Sequence, residues 1–150
     1  MLAARGIEFS AHELPEEKLG ATEAAAHLGV SPELVFKSIV ALRPDGGKPV
    51  IALVSGDQEV DLKALGRFLG SKKLSAASQK QAEALTGLQT GGISPLVLLD
   101  KGFEIVIDEA ALGLEKLYLS GGKRGLNISM TPSDLLQLNK AKSAPISKSR

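Results

Sequence analysis

Cysteine and tryptophan are absent, histidine occurs twice, and aromatic residues make up only 3% of the 150 positions. Without cysteine the chain has no disulfide framework and no thiol nucleophile, and nothing in it speaks for an oxidising compartment. His12 and His27 have no Asp or Glu at ligand spacing, so no metal site and no cofactor are expected. No serine sits in a nucleophile elbow that would complete a Ser-His-Asp triad. Asp57, Glu59 and Asp61 read as a solvated loop entering a helix, and Asp108 and Glu109 as the surface end of a strand. A paired-carboxylate mechanism therefore has no support. The shortage of aromatics argues against a stacking platform for single-stranded RNA. No apolar run approaches the roughly 20 residues of a membrane span, and Met1–Arg5 lacks a basic-then-apolar leader pattern. A cytoplasmic location is expected.

What is present is a mildly apolar chain, 43% hydrophobic with a mean hydropathy of +0.08. That suits one globular domain with a substantial core. Net charge is +1, but residues 139–150 hold Lys140, Lys142, Lys148 and Arg150 and no acid. Taking these four positive charges away leaves the body at −3. Such a body does not attract nucleic acid by bulk charge, so RNA contacts would be local. The candidates are Lys123–Arg124, Lys72–Lys73 and the tail. The domain is read as 1–138, with 139–150 a basic tail expected to be disordered.

Turn and cap signals divide the body. Met1–Arg5 suggests a short helix stopped by Gly6, and Ile7–Leu14 an extended segment. Thr22–Leu28, Asp61–Leu69 and Ser78–Leu85 read as helices capped by Thr22, Asp61 and Ser78, the last with capping-box spacing. Gly29 and Gly87 stop two of them. Ser31-Pro32-Glu33 starts a short helix, and Thr131 caps a final one through Leu138. Val35–Leu42 and Pro49–Val54 read as a hairpin, with further strands at Leu96–Leu99, Phe103–Ile107, Lys116–Leu119 and Leu126–Met130. Strands and helices mixed without regular alternation indicate an α+β or irregular α/β class.

Three segments carry polar chemistry inside this apolar frame. Ser120-Gly121-Gly122-Lys123-Arg124-Gly125 follows the strand ending at Leu119 and combines a close-approaching backbone with a hydroxyl and two cations. It is neither a Walker loop nor a dinucleotide turn, and a solvated basic hairpin tip accounts for it equally well. Gly91-Gly92-Ile93-Ser94-Pro95 is a stiff loop whose fixed N–H groups would suit a carbonyl or oxyanion. Read alone, it is better explained as a rigid turn. Lys37 and Ser38 interrupt the run Leu34–Leu42, where Lys37 either snorkels to the rim or is kept for its charge.

Together, Val35-Phe36-Lys37-Ser38, the Gly-Gly-Ile-Ser-Pro loop and Ser120–Leu126 resemble the YbaK/EbsC family. These are free-standing aminoacyl-tRNA deacylases related to the editing insertion of bacterial prolyl-tRNA synthetases. The resemblance covers the chain from about Met1 to Leu138 and is closest to the YbaK branch, which hydrolyses Cys-tRNA(Pro). It implies a mixed, barrel-like sheet with helices around it. Lys37 then corresponds to the lysine needed for activity. Ser38, Gly91, Gly92, Ile93, Ser94, Ser120, Gly121, Gly122 and Asn127 would bind substrate, and Lys123 and Arg124 would bind tRNA or phosphate. Asn127 stands where the family usually has Asp, and Leu14 where its best-known members have Tyr.

The implied reaction is trans-editing of mischarged tRNA(Pro), with prolyl-tRNA synthetase a candidate partner and the cysteinyl thiol as nucleophile. An aminoacyl ester is already activated, so a site that orients it can act without a protein nucleophile. Two alternatives stand beside this: Ala-tRNA(Pro) deacylation by water, and a non-catalytic module that binds tRNA or a phosphorylated ligand.

Overall fold

The structure is a computed structural model that describes residues 9–16, 20–44, 46–89, 92–96, 98 and 102–149, without the side chains of 138 and 139. Its centre follows from one stretch of sequence. Val50–Val54 is apolar at every position, as a strand covered on both faces must be, and β3 (Val50–Ser55) is buried throughout. On one side it pairs antiparallel with β2 (Phe36–Leu42), on the other parallel with β6 (Glu104–Asp108). The edge strands β5 (Ser75–Ala76) and β9 (Lys142–Ala144) complete a five-stranded mixed sheet in the order β5-β2-β3-β6-β9. Arg43 at the end of β2 is tied to Glu104 at 2.6 Å, and Lys142 reaches the same carboxylate at 3.7 Å.

A second, antiparallel sheet has the order β1-β8-β7, from β1 (Ser10–Glu13), β7 (Leu117–Ser120) and β8 (Leu126–Met130). A parallel bridge between Val35 and Tyr118 links it to the start of β2. Alternation then sorts the side chains. Phe36, Val40, Ile51, Leu53, Leu119, Ile128 and Met130 meet in the largest core. Leu135 of α4 (Pro132–Asn139) and Ala82 of α3 (Gln79–Thr86) close over that core. On the other face Val50, Ala52, Val54 and Val106 pack against Leu65 of α2 (Leu62–Leu69). Val35 and Tyr118 pack with Ala24 and Ala25 of α1 (Ala21–Leu28). Among the described residues no helix is long and apolar enough to cross a membrane.

The α+β class is the one expected, and most element positions are within a residue or two of expectation. Asp61, Ser78 and Thr131 each accept the N–H three residues on, and Gly29 and Gly87 are left-handed stops. Six readings need correction. The sheets are open and separate, so no barrel closes. Gly20, not Thr22, caps α1, because the helix begins at Ala21. Described residues Leu96 and Leu98 lie in turns, not in a strand. Glu59 sits in β4 (Gln58–Val60) instead of a loop.

The fifth correction is the tail. Residues 142–149 form β9 and β10 (Ser147–Ser149), β9 alongside β6 and β10 antiparallel to β4. Between them Ile146 is fully buried, and its N–H donates to Asp108 at 2.9 Å. The Ser147 hydroxyl lies 3.0 Å from the other oxygen of the same carboxylate. Asp108 is therefore a buried anchor and not a surface residue. The expected helix at Met1–Arg5 lies outside the described residues.

Candidate functional site

The site is built where β7 turns into β8. Ser120 and Asn127 face each other across the pair, and His12 of β1 stands opposite Asn127. Between them the chain reverses through Gly121–Gly125, with Gly122 at φ 108° and Gly125 at φ 90°, values that favour glycine. Gly121 N–H donates to the Leu126 carbonyl at 2.9 Å, and Gly122 N–H to the Ser120 hydroxyl at 3.3 Å. Accepting that bond fixes Ser120 Oγ and leaves the hydroxyl its own proton to donate. Lys123 is exposed and Arg124 half-buried at the tip.

The second glycine loop lies directly on the first. A Cβ at Gly92 would fall 2.9 Å from Lys123 Cα and 3.0 Å from Arg124 N, so any side chain there would force the two loops apart. Two segments about thirty residues apart in sequence thus meet backbone to backbone, and Gly92 is the residue that permits it. Ile93 is buried in the largest core. Ser94 is fully buried, and its hydroxyl accepts the N–H of Leu96 at 3.2 Å, a bond internal to the turn. Gly91 lies outside the described residues.

Lys37 reaches the same region by strand parity. Val35 bridges Tyr118, and two residues further along each strand come Lys37 and Ser120. Lys37 thus shares a side with Ser120, Asn127 and His12. It is half-buried and opposite Val54 of β3. Ser38 points to the other face, with Phe36 and Val40, and is not brought to the site.

Sequence reasoning passed over part of this surface. The imidazole of His12 lies 3.0 Å from the Ser129 hydroxyl through Nε2 and 5.4 Å from the Tyr118 ring between centroids. The signal was available: Asn127 and Ser129 alternate with Leu126, Ile128 and Met130, a polar face on a strand that buries its other side. Ser129 is only 3% exposed, and its hydroxyl is engaged with the His12 ring. Asn127 is 4% exposed and its Oδ1 has no hydrogen-bond partner. Leaving such an acceptor unmet costs about 1–3 kcal/mol, a cost a ligand donor would remove. Among the described residues no three His, Cys, Asp or Glu side chains gather as a metal site requires.

One expectation about the loops is changed by this geometry. The N–H groups of Gly92, Gly121 and Gly122 are all engaged, that of Gly92 with the Gln89 carbonyl at 2.7 Å. They brace each loop from within and are not left to serve an oxyanion. Among the described residues, the polar side chains that the strands bring to this side are the Lys37 ammonium, the Ser120 hydroxyl and the Asn127 amide.

A family model for the aminoacyl-tRNA editing domain matches residues 15–138, a span that contains Lys37 and both loops. The chain belongs to this editing-domain family. It is 36% identical over 131 residues to EbsC of Enterococcus faecalis, named as a candidate Cys-tRNA(Pro)/Cys-tRNA(Cys) deacylase. That match spans 87% of this chain and 79% of the relative. A proline–tRNA ligase of Nitratidesulfovibrio vulgaris shares 38% identity over 76 residues, 51% of this chain but only 13% of the ligase. The crystal structure of a candidate trans-editing enzyme for prolyl-tRNA synthetase superposes with a TM-score of 0.82 at 30% identity. It covers 98% of this editing domain and 92% of its own chain.

Proposed function

We propose that this editing domain is a trans-editing aminoacyl-tRNA deacylase that removes cysteine from Cys-tRNA(Pro), with the cysteinyl thiol as nucleophile. The observation that carries the reading is what the site offers: a cation, a hydroxyl and an unmet buried acceptor, with no cysteine in the chain and, among the described residues, no His or carboxylate bonded to the Ser120 hydroxyl to activate it. Family membership and the resemblance to EbsC supply the substrate class.

In this reading the α-ammonium of the aminoacyl group donates to Asn127 Oδ1. An amide there offers the acceptor that the position needs without a full negative charge. The substrate thiolate attacks the ester carbonyl carbon. A C–S bond forms, the C–O bond to the terminal ribose breaks, and the ribose oxygen takes up a proton. Water then opens the resulting thiolactone to free cysteine. Lys37 and the Ser120 hydroxyl stabilise the negative charge that develops on the carbonyl oxygen.

Thiol dependence would also explain selectivity. A pocket that sorts by size alone gains only about 1–3 kcal/mol per methylene, too little to separate Cys from Ser or Ala. The test is ester loss from tRNA(Pro) charged with Cys, Ala, Ser or Pro. Rapid loss from Cys-tRNA(Pro) alone is expected. Comparable rates for Ala and Ser would replace the thiol by water, and loss from none would leave a binding module.

A further inference from the structure

Away from this site, the outer surface of α2 forms a basic groove. A cavity of about 490 Å³ is lined by Lys63, Arg67, Lys72 and Lys73, and no acid lines it. All four cations are exposed, and none forms an ion pair with a described residue. Lys63 and Arg67 are four apart on one helix face, a like-charge spacing that weakens a helix.

The backbone is arranged to bring the second pair of cations onto the first. Ser71 N–H donates to the Gly66 carbonyl at 2.9 Å, and a Cβ on Gly66 would fall 2.5 Å from the Ser71 oxygen. Only glycine lets the turn fold back over α2. Two residues later Lys73 is held at φ 60°, a left-handed backbone that a lysine adopts at a cost and a glycine would adopt freely. The like-charge crowding opposes folding and is relieved by a polyanion, while the left-handed backbone fixes where Lys73 stands.

We propose that this groove holds the sugar-phosphate backbone of the tRNA body, outside the deacylation site. The proposal rests on the deacylase reading for the identity of its RNA. It also fits the charge of the chain, since a net charge of only +1 must concentrate its RNA contacts locally. The placement agrees as well. α2 packs through Leu65 on the sheet face where Val54 lies opposite Lys37, so groove and site share one side of the five-stranded sheet.

The test is the combined variant Lys63→Gln, Arg67→Gln, Lys72→Gln and Lys73→Gln, with the groove read by the Kd of uncharged tRNA(Pro). Binding should weaken roughly 10- to 100-fold, and the slope of log K against log salt should become shallower by about 3 to 4. On charged tRNA, KM should rise with kcat unchanged, whereas a 3′-aminoacyl dinucleotide too short to reach the groove should be hydrolysed as before. Because uncharged tRNA needs no catalysis, the binding result stands even if the deacylase reading fails. Unchanged Kd and salt slope would overturn the proposal, whatever other acidic partner the groove then proved to hold. Displacement of tRNA by submillimolar inorganic phosphate would likewise overturn it in favour of a small-anion pocket.

Discussion

Lys37→Ala should lower the deacylation of Cys-tRNA(Pro) by about 10²- to 10³-fold, the usual consequence of removing one group that stabilises developing negative charge. The loss should fall on kcat, because the cation acts on charge that appears only as the carbonyl is attacked. Lys37 is half-buried near the start of β2, and alanine preserves the strand and its pairing with Val54. The Tm should therefore shift by only a few degrees. Lys37→Arg, which keeps the charge but not its shape, should retain part of the rate. Wild-type activity in the alanine variant would remove Lys37 from the mechanism.

The largest effect on stability is expected from the C-terminal strands. Deleting residues 141–150 removes Ile146, which is fully buried, together with Ala144 and the pairings of β9 and β10. Losing a buried isoleucine side chain costs about 2–5 kcal/mol. Asp108 would also lose the Ile146 N–H and the Ser147 hydroxyl, stranding a buried carboxylate at roughly a further 1–3 kcal/mol. For a domain of this size each kcal/mol is worth about 2–4 °C, so a fall in Tm of the order of 10 °C or more is expected. Ile146→Ala alone should give part of it, and Lys148→Ser, on the exposed strand β10, almost none. An unchanged Tm on truncation would show that the strands are dispensable.

That second result bears on what a sequence shows. Caps at Asp61, Ser78 and Thr131 and the glycine stops were legible because each depends on a few neighbouring residues. The tail was not, because its composition is that of a solvated segment. Its order comes from partners far away: β6 for β9, β4 for β10, and Asp108, which lies 38 residues before Ile146. Asp108 was misjudged for the same reason, since nothing local marks a strand-end carboxylate as buried.

The candidate site divides along the same line. Lys37, Ser120 and the glycine loops stood out as polar or glycine-rich interruptions of apolar runs, but their meeting is a tertiary fact. It depends on the Val35–Tyr118 bridge and on the contact of Gly92 with Lys123. That the loop N–H groups are already engaged could only be read from the folded chain.

With no cysteine in the chain and, among the described residues, no base bonded to the Ser120 hydroxyl, the thiol of the substrate becomes the element on which the mechanism turns. The most direct measurement compares ester loss from Cys-tRNA(Pro) and from the same tRNA carrying S-methylcysteine, across the titration range of a thiol near pKa ~8.5. Thiol attack predicts a rate on Cys-tRNA(Pro) that climbs with pH through that range, with the methylated substrate cleaved at least ~100-fold more slowly. Equal rates on the two substrates would contradict it.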